Sequence, residues 1–526
     1  MADTEITLGK KDELKDGEMK VIKLDDREIL LARFQGEYYA IAPKCTHYGG
    51  PLAEGVLTGN RLMCPWHHAA FDIISGKMLE PPALDGLPTY KVRIDKDNIL
   101  VTIPEGEVPG RKICRMSHLE IENDDRCFVI VGAGAAGNMA GQTLRENGYH
   151  GRIIMLTKEQ DFPYDRPELS KGYLAGHSKE EWLPLREPDF YKQCNIEIMF
   201  GREVVSINSE TQMLSMNTPE AIKYDSLLLA TGSIPRKLHV PKSELPNIYT
   251  VRSRNDIRSI TGRLDKAEKV AVIGASFIAI ETSAGLRERG KEVTVIAPES
   301  VPFEGILGKN IGMFFKDLHE SHGINFKLGE GIQRFEGDDR VEYVVLDSGE
   351  KIPADLVIVG IGVEPATKFK MDLAIEGDGG IKVDEYLQAS ERVFIAGDIA
   401  KFPYWYTGED IRIEHWRVAE QQGRLAALNM LGKKIAYNGV PFFWTQIFDI
   451  SFRYVGYAKG WDDIIVDGDI SARNFIAYYS RKNKVLAAAG VNRDKEMAAI
   501  EEAIRTNKIP AANKLGSRKA AKILSR

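Results

Sequence analysis

The stretch CFVIVGAGAAGNMAGQTLRENG, residues 127–148, decides the architecture of most of this chain. An apolar run, a glycine-rich turn and an alanine-rich amphipathic segment follow one another without a break. That order predicts a buried strand, a tight turn and a helix. Gly132, Gly134 and Gly137, with Ala135 and Ala136 between them, satisfy G-x-G-x-x-G. Without Cβ atoms the backbone can approach a pyrophosphate, and the helix N-terminus stabilises its charge. Alone the motif is weak, because glycine turns are common; its place between a predicted strand and a predicted helix gives it weight. The next predicted strand, RIIMLTKE (152–159), ends at Glu159, which is placed to bond an adenosine ribose, with Lys158 one residue before it.

A second strand–turn–helix follows at KVAVIGASFIAIETSAGLRERG, residues 269–290. Here Gly274 is kept, but Ser276 and Ala279 replace the other two glycines. Both are small, so a close approach survives with less room. The strand after it, EVTVIAPES (292–300), brings Glu299 toward the ribose position. No arginine follows at once to hold a 2′-phosphate, which favours NADH over NADPH. Two such units in one chain imply two nucleotides, a flavin and a nicotinamide.

The first hundred residues have a different rhythm. EMKVIKL, REILLARF, EYYAIA, YKVRI and ILVTIP are short, rich in β-branched and aromatic residues, and separated by Gly, Asp and Asn. They predict a small antiparallel β domain. Its loops carry PKCTHYGGPL (43–52) and CPWHHAAF (64–71), with sixteen residues between His47 and Cys64. Cys45, His47, Cys64 and His67 could be unligated core residues or a tetrahedral zinc site. The order Cys-His…Cys-His, together with the flanking residues, resembles the two loops of a Rieske domain, where two Cys hold one iron of a [2Fe–2S] cluster and two His the other. High-potential Rieske domains add a disulfide and cluster-facing hydroxyls. The matching positions here hold Gly50 and Trp66, and Ala69 and Phe71. The resemblance therefore implies a low, ferredoxin-like potential. One departure is His68, where a Gly is usual.

Residues 126–510 resemble the flavoprotein reductases of the oxygenase-coupled ferredoxin reductase and apoptosis-inducing-factor group. The resemblance implies FAD contacts from Arg166 and Lys171 in PYDRPELSKGYL, Thr231 and Gly232 in LLLATGS, and Arg252 in YTVRSRNDI. It further implies a ribityl contact from Asp398 in VFIAGDIA, and His415 and Trp444 beside the isoalloxazine. Phe277, Ile278, Glu281, Gly362 and Glu414 fall on the nicotinamide side, and a Lys171–Glu281 ion pair is expected near the reactive flavin nitrogen. Cys114, Cys127 and Cys194 form no C-x-x-x-x-C pair, which argues against disulfide reduction. The ten histidines leave too little for the mononuclear iron site of an oxygenase.

The expected layout is multidomain: an all-β Rieske domain (1–105), a charged linker (106–125), and an α/β FAD domain (126–245 and 369–437) interrupted by an NAD domain (246–368). A C-terminal α/β domain (438–526) closes the chain. The expected activity is NADH oxidation through FAD to the [2Fe–2S] cluster, and on to an oxygenase, cytochrome, ferredoxin or quinone. Two rivals stay open: an apoptosis-inducing-factor-like interaction protein with slow turnover, and a reversed current that reduces NAD⁺. Net charge −6 gives no footprint for nucleic acid, although Arg505–Arg526 carries seven bases and no acids. No apolar run reaches the ~18 residues of a membrane span. The N-terminus resembles neither a signal nor a transit peptide. Five cysteines with no framework spacing point to a reducing compartment, the cytoplasm; monomer and homodimer both stay open.

Overall fold

The computed structural model describes residues 4–24, 27–104, 110, 112–120 and 122–515. Most of the basic C-terminal stretch, 516–526, lies outside them, as do 106–109, 111 and 121 of the expected linker. The first domain pairs a six-stranded antiparallel sheet with a four-stranded one. The larger sheet runs Thr4–Lys10, Asn98–Ile103, Thr89–Asp95, Glu37–Ile41, Arg27–Phe34, Met19–Leu24. Strict alternation sets its faces: in Asn98–Ile103, Ile99, Val101 and Ile103 point into the core. The smaller sheet, Val56–Thr58, Arg61–Met63, Ala70–Asp72 and Met78–Glu80, carries the second Cys-His loop. Leu30, Ile41, Leu52, Leu62 and Phe71 fill the space beneath both loops.

Behind it stand two parallel sheets. The first runs Ile196–Met199, Arg152–Leu156, Cys127–Val131, Ser226–Leu229, Val393–Ile395, with Gln388–Ser390 antiparallel at its edge. Ser226–Leu229 is buried at every position, as a strand covered on both faces must be. The second runs Ile248–Thr250, Leu356–Val359, Lys269–Ile273, Glu292–Ala297, Asn325–Leu328. The chain enters this second unit through Ser233–Pro235 and returns through Val363–Pro365, and the two crossing segments pair antiparallel. Helix Ala135–Glu146 packs so tightly on helix Trp416–Met430 that a Cβ on Gly423 would lie 2.1 Å from the Ala136 carbonyl.

The last domain is a five-stranded antiparallel sheet with helix Asp494–Arg505 against it. Its first strand, Phe442–Ile447, reaches back over the other domains. Phe443 meets Phe277 of the second nucleotide unit edge-on at 4.6 Å. Buried charges tie the β domain to this body: Arg186 forks onto Asp85 at 2.8 Å, Arg61 pairs with Glu502 at 2.7 Å, and Gln421 donates to Glu80 at 2.8 Å.

Candidate functional site: two sulfur–histidine loops beside a long nucleotide cleft

The two loops of the β domain are shaped by their own backbone. Gly49 donates to the Cys45 carbonyl and Cys45 to that of Gly50, both at 2.9 Å; Cys64 donates to Ala69 at 2.8 Å. The thiols of Cys45 and Cys64 come within hydrogen-bonding reach of each other. The imidazoles of His47 and His67 face each other through Nδ1 at 3.1 Å. Burial pushes His47 down to about 3 and His67 down as well, so both stay neutral, the form that ligates metal. Among the described residues no three His, Cys, Asp or Glu converge on one point where a single ion would sit. The four side chains fall into a sulfur pair and a nitrogen pair. A [2Fe–2S] cluster with two Cys on one iron and two His on the other would take that pairing. A Cβ on Gly50 would press within 2.8 Å of the Cys64 sulfur and 3.2 Å of Trp66, so glycine lets the loops close.

A cleft of about 810 Å³ runs between the two nucleotide units and under the last domain. Most residues singled out in the sequence line it: Gly132, Gly134, Ala135, Ala136, Glu159, Arg166, Lys171, Thr231, Gly232 and Arg252 from the first unit, and Ser276, Phe277, Ile278, Glu281 and Gly362 from the second. Asp398, Glu414, His415 and Trp444 complete the wall. Gly137, Gly274 and Glu299 do not reach it. Gly137 is a packing residue, since a Cβ there would sit 1.8 Å from the Gly132 carbonyl. Gly274 turns the chain at φ +107, and a Cβ there would lie 2.4 Å from the Gly360 carbonyl. Glu299 is exposed at the end of its strand.

Charge is paired along the wall. Arg166 holds Glu159 at 2.9 Å, and Tyr164 donates to the other Glu159 oxygen at 2.7 Å. Burial would raise this carboxyl, but Arg166 and Tyr164 hold it below its usual range. Arg252 sits 3.2 Å from Asp398, which also accepts from Ser233. Lys171 lies 3.1 Å from Glu281, whose second oxygen accepts from Ser170 at 2.5 Å. His415 is held neutral by burial at about 4, and its Nδ1 has no partner among the described residues. Burial also raises Glu414, against the pull of Arg412 at 2.6 Å. The unpartnered His415 nitrogen and the open space where a Gly134 Cβ would be fit a dinucleotide that would fill them. Tyr164 and Ser233 were inside quoted motifs, yet nothing in sequence distinguishes their hydroxyls from ordinary ones.

Three family models match in order: Rieske [2Fe-2S] domain over 4–91, pyridine nucleotide-disulphide oxidoreductase over 127–423, and reductase C-terminal over 442–521. The chain belongs to the pyridine nucleotide-disulphide oxidoreductase family. Within this family it is a ferredoxin-reductase-type oxidoreductase that uses FAD and NADH and carries a Rieske [2Fe–2S] domain. It is similar to apoptosis-inducing factor 3 of Homo sapiens, 33% identical over 94% of this chain and 83% of that protein. It is also similar to putidaredoxin reductase of Pseudomonas putida, 32% identical over 73% and 92%. Among solved structures, the covalent putidaredoxin reductase–putidaredoxin complex matches with TM-score 0.72 at 31% identity, over 76% of this chain and 98% of that one. None of Cys114, Cys127 and Cys194 lines the cleft, so this member has no disulfide partner beside its flavin wall. No described helix is long and apolar enough to cross a membrane.

Proposed function

We propose that this reductase takes hydride from NADH and delivers the electrons singly to its own Rieske cluster, which passes them to an external one-electron acceptor. Trp444 carries this reading. Its side chain lines the cleft, and its ring lies 4.5 Å from that of His67 and 6.1 Å from that of His47. One indole thus touches both the flavin wall and the ligand pair. Bound FAD accepts a hydride and releases electrons one at a time, and a [2Fe–2S] cluster carries one at a time. The chain's own residues supply placement and charge. Arg166, Arg252 and Asp398 would hold FAD; Phe277, Ile278 and Gly362 would seat the nicotinamide; the Lys171–Glu281 pair orders the wall where hydride moves.

The exit favoured by the geometry is Tyr48. Its ring lies 4.1 Å from that of His47, its hydroxyl donates to Asp165 at 2.7 Å, and it is 46% exposed. A ferredoxin, cytochrome, oxygenase component or quinone would meet the cluster there, in the reducing cytoplasm that five unpaired thiols suit.

The test is an anaerobic NADH titration of the cluster-loaded protein, following flavin absorbance and the Rieske EPR signal together. The cluster signal is expected to grow as the flavin is reduced. Bleaching of the flavin with the cluster still oxidised would defeat the forward relay and favour the reversed current.

A further inference from the structure

The second ligand loop contains a side chain that hydride chemistry does not use. His68 follows the ligand His67 and is fully buried. Its backbone lies at φ +58, the left-handed region that favours glycine, so a histidine is strained there and something else must retain it. The surroundings do so. His68 Nδ1 lies 2.6 Å from one oxygen of Glu501 on helix Asp494–Arg505, and its ring stacks on Phe442 at 3.9 Å. The other Glu501 oxygen is 2.9 Å from Arg417 on helix Trp416–Met430. Arg417 closes the circuit by donating to the His68 carbonyl at 3.0 Å and to the Pro81 carbonyl at 2.9 Å. Arg453, from the last domain, donates to the Trp66 carbonyl at 2.9 Å. All three side chains of the circuit are buried, and each belongs to a different domain.

Resting on the electron path proposed above, we infer that His68 is a positioning residue: it latches the cluster loop to Glu501 and Arg417 and so fixes His67 against Trp444. His67 is its neighbour in the chain, and Phe442 under the His68 ring is two residues from Trp444. The circuit therefore grips both sides of the gap across which electrons pass. The Rieske domain is then a docked part, transfer from flavin to cluster needs no swing, and the indole face is closed to any outside carrier. Simple core packing would not need a histidine at a glycine-favouring backbone position with its nitrogen on a buried carboxylate.

His68→Gly suits the backbone and removes the latch. His68→Asn tolerates positive φ and places an amide nitrogen where Nδ1 was. Stopped-flow traces of the anaerobic holoenzyme separate flavin reduction by NADH from cluster reduction. In His68→Gly the first phase is expected within two-fold of the parent, and the second slower by clearly more than that. His68→Asn should recover most of it. Without NADH, amide exchange over 61–72 and 494–505 should speed up in His68→Gly and not in His68→Asn. Glu501→Ala breaks the same circuit from outside the Rieske domain and should behave like His68→Gly. It decides the matter if His68→Gly loses its cluster. A folded, cofactor-loaded Glu501→Ala with parental second phase and parental exchange overturns the latch. Faster exchange with an unchanged second phase also overturns it, because the loop would then be free without consequence. If the parent never reduces its cluster, the electron path fails instead, and the exchange data still judge the latch.

Discussion

The two nucleotide-binding units begin alike and finish differently. Both first glycines sit near φ +107, at +108 for Gly132 and +107 for Gly274, and in both a Cβ would strike the carbonyl at the end of the neighbouring strand. The third position then diverges. In the FAD unit it is Gly137, pressed on the turn, and the neighbouring strand ends in Ala230. In the NAD unit it is Ala279, and the neighbouring strand ends in Gly360, where a Cβ would come 3.0 Å from the Ala279 methyl. The second unit thus accommodates the missing motif glycine by placing one opposite. The two acids proposed for the riboses differ too. Glu159 is half-buried and held by Arg166 and Tyr164, whereas Glu299 stands exposed. A closed, charge-paired wall suits a resident cofactor, and an open one suits a nucleotide that must leave after each turnover.

The sharpest way to break that comparison is to exchange the third positions. Gly137→Ala places a methyl 1.8 Å from the Gly132 carbonyl, a backbone atom that cannot rotate away. We expect a loss of at least about 3 kcal/mol and of FAD retention, read as flavin per chain after desalting and as the thermal midpoint. Ala279→Gly should cost only about 1 kcal/mol, the helix-propensity difference, and leave the KM for NADH within roughly three-fold. Equal behaviour of the two variants would erase the distinction between the units. Next in size is Arg166→Ala. It leaves Glu159 in a half-buried wall without its cation, so FAD affinity should fall by about ten- to hundred-fold, measured by flavin fluorescence on titration of apoprotein.

These contrasts show what sequence could and could not carry. Glycine spacing, apolar runs and the Cys-His order specify local backbone and ligand chemistry, so both nucleotide units and the Rieske loops were legible. The strand Thr4–Lys10 was not, because TEITLGK alternates too weakly, and the short strands between 56 and 80 have only three residues each. The role of His68 was legible only as a departure. Its partners, Glu501 and Arg417, lie more than three hundred residues away and look in sequence like the polar faces of ordinary helices. Gly360 has no signal in sequence that shows its purpose, since only the folded sheet sets it against Ala279.

Each unit also buries a histidine that acid would charge, His415 in the first and His319 in the second. His319 lies wholly inside the NAD unit, bonded to the Phe315 carbonyl at 2.7 Å, and burial lowers it to about 4. An unfolded chain binds its proton near 6.5. Folding thus opposes protonation, so stability is intact above 6.5 and is lost as pH falls toward 4. At pH 5.5 the loss from this group is about 1 kcal/mol. His319→Asn keeps a donor at the Nδ1 position and should flatten the fall in thermal midpoint between pH 7 and 5.5. An unchanged slope would mean that other groups set the acid limit.

The smallest expected effect bears most directly on exchange. Glu299 is exposed and, among the described residues, accepts no side-chain bond that would hold it in place, so its loss costs the fold little. If it meets the ribose of NADH, Glu299→Ala removes one bond made equally before and during hydride transfer. The KM for NADH should then rise about three-fold with kcat unchanged, the mark of uniform binding. The same variant should narrow the preference for NADH over NADPH, since the carboxylate that repels a 2′-phosphate is gone. A fall in kcat at constant KM would instead place Glu299 in positioning the nicotinamide, and the open half of the cleft would have to be read as closing during turnover.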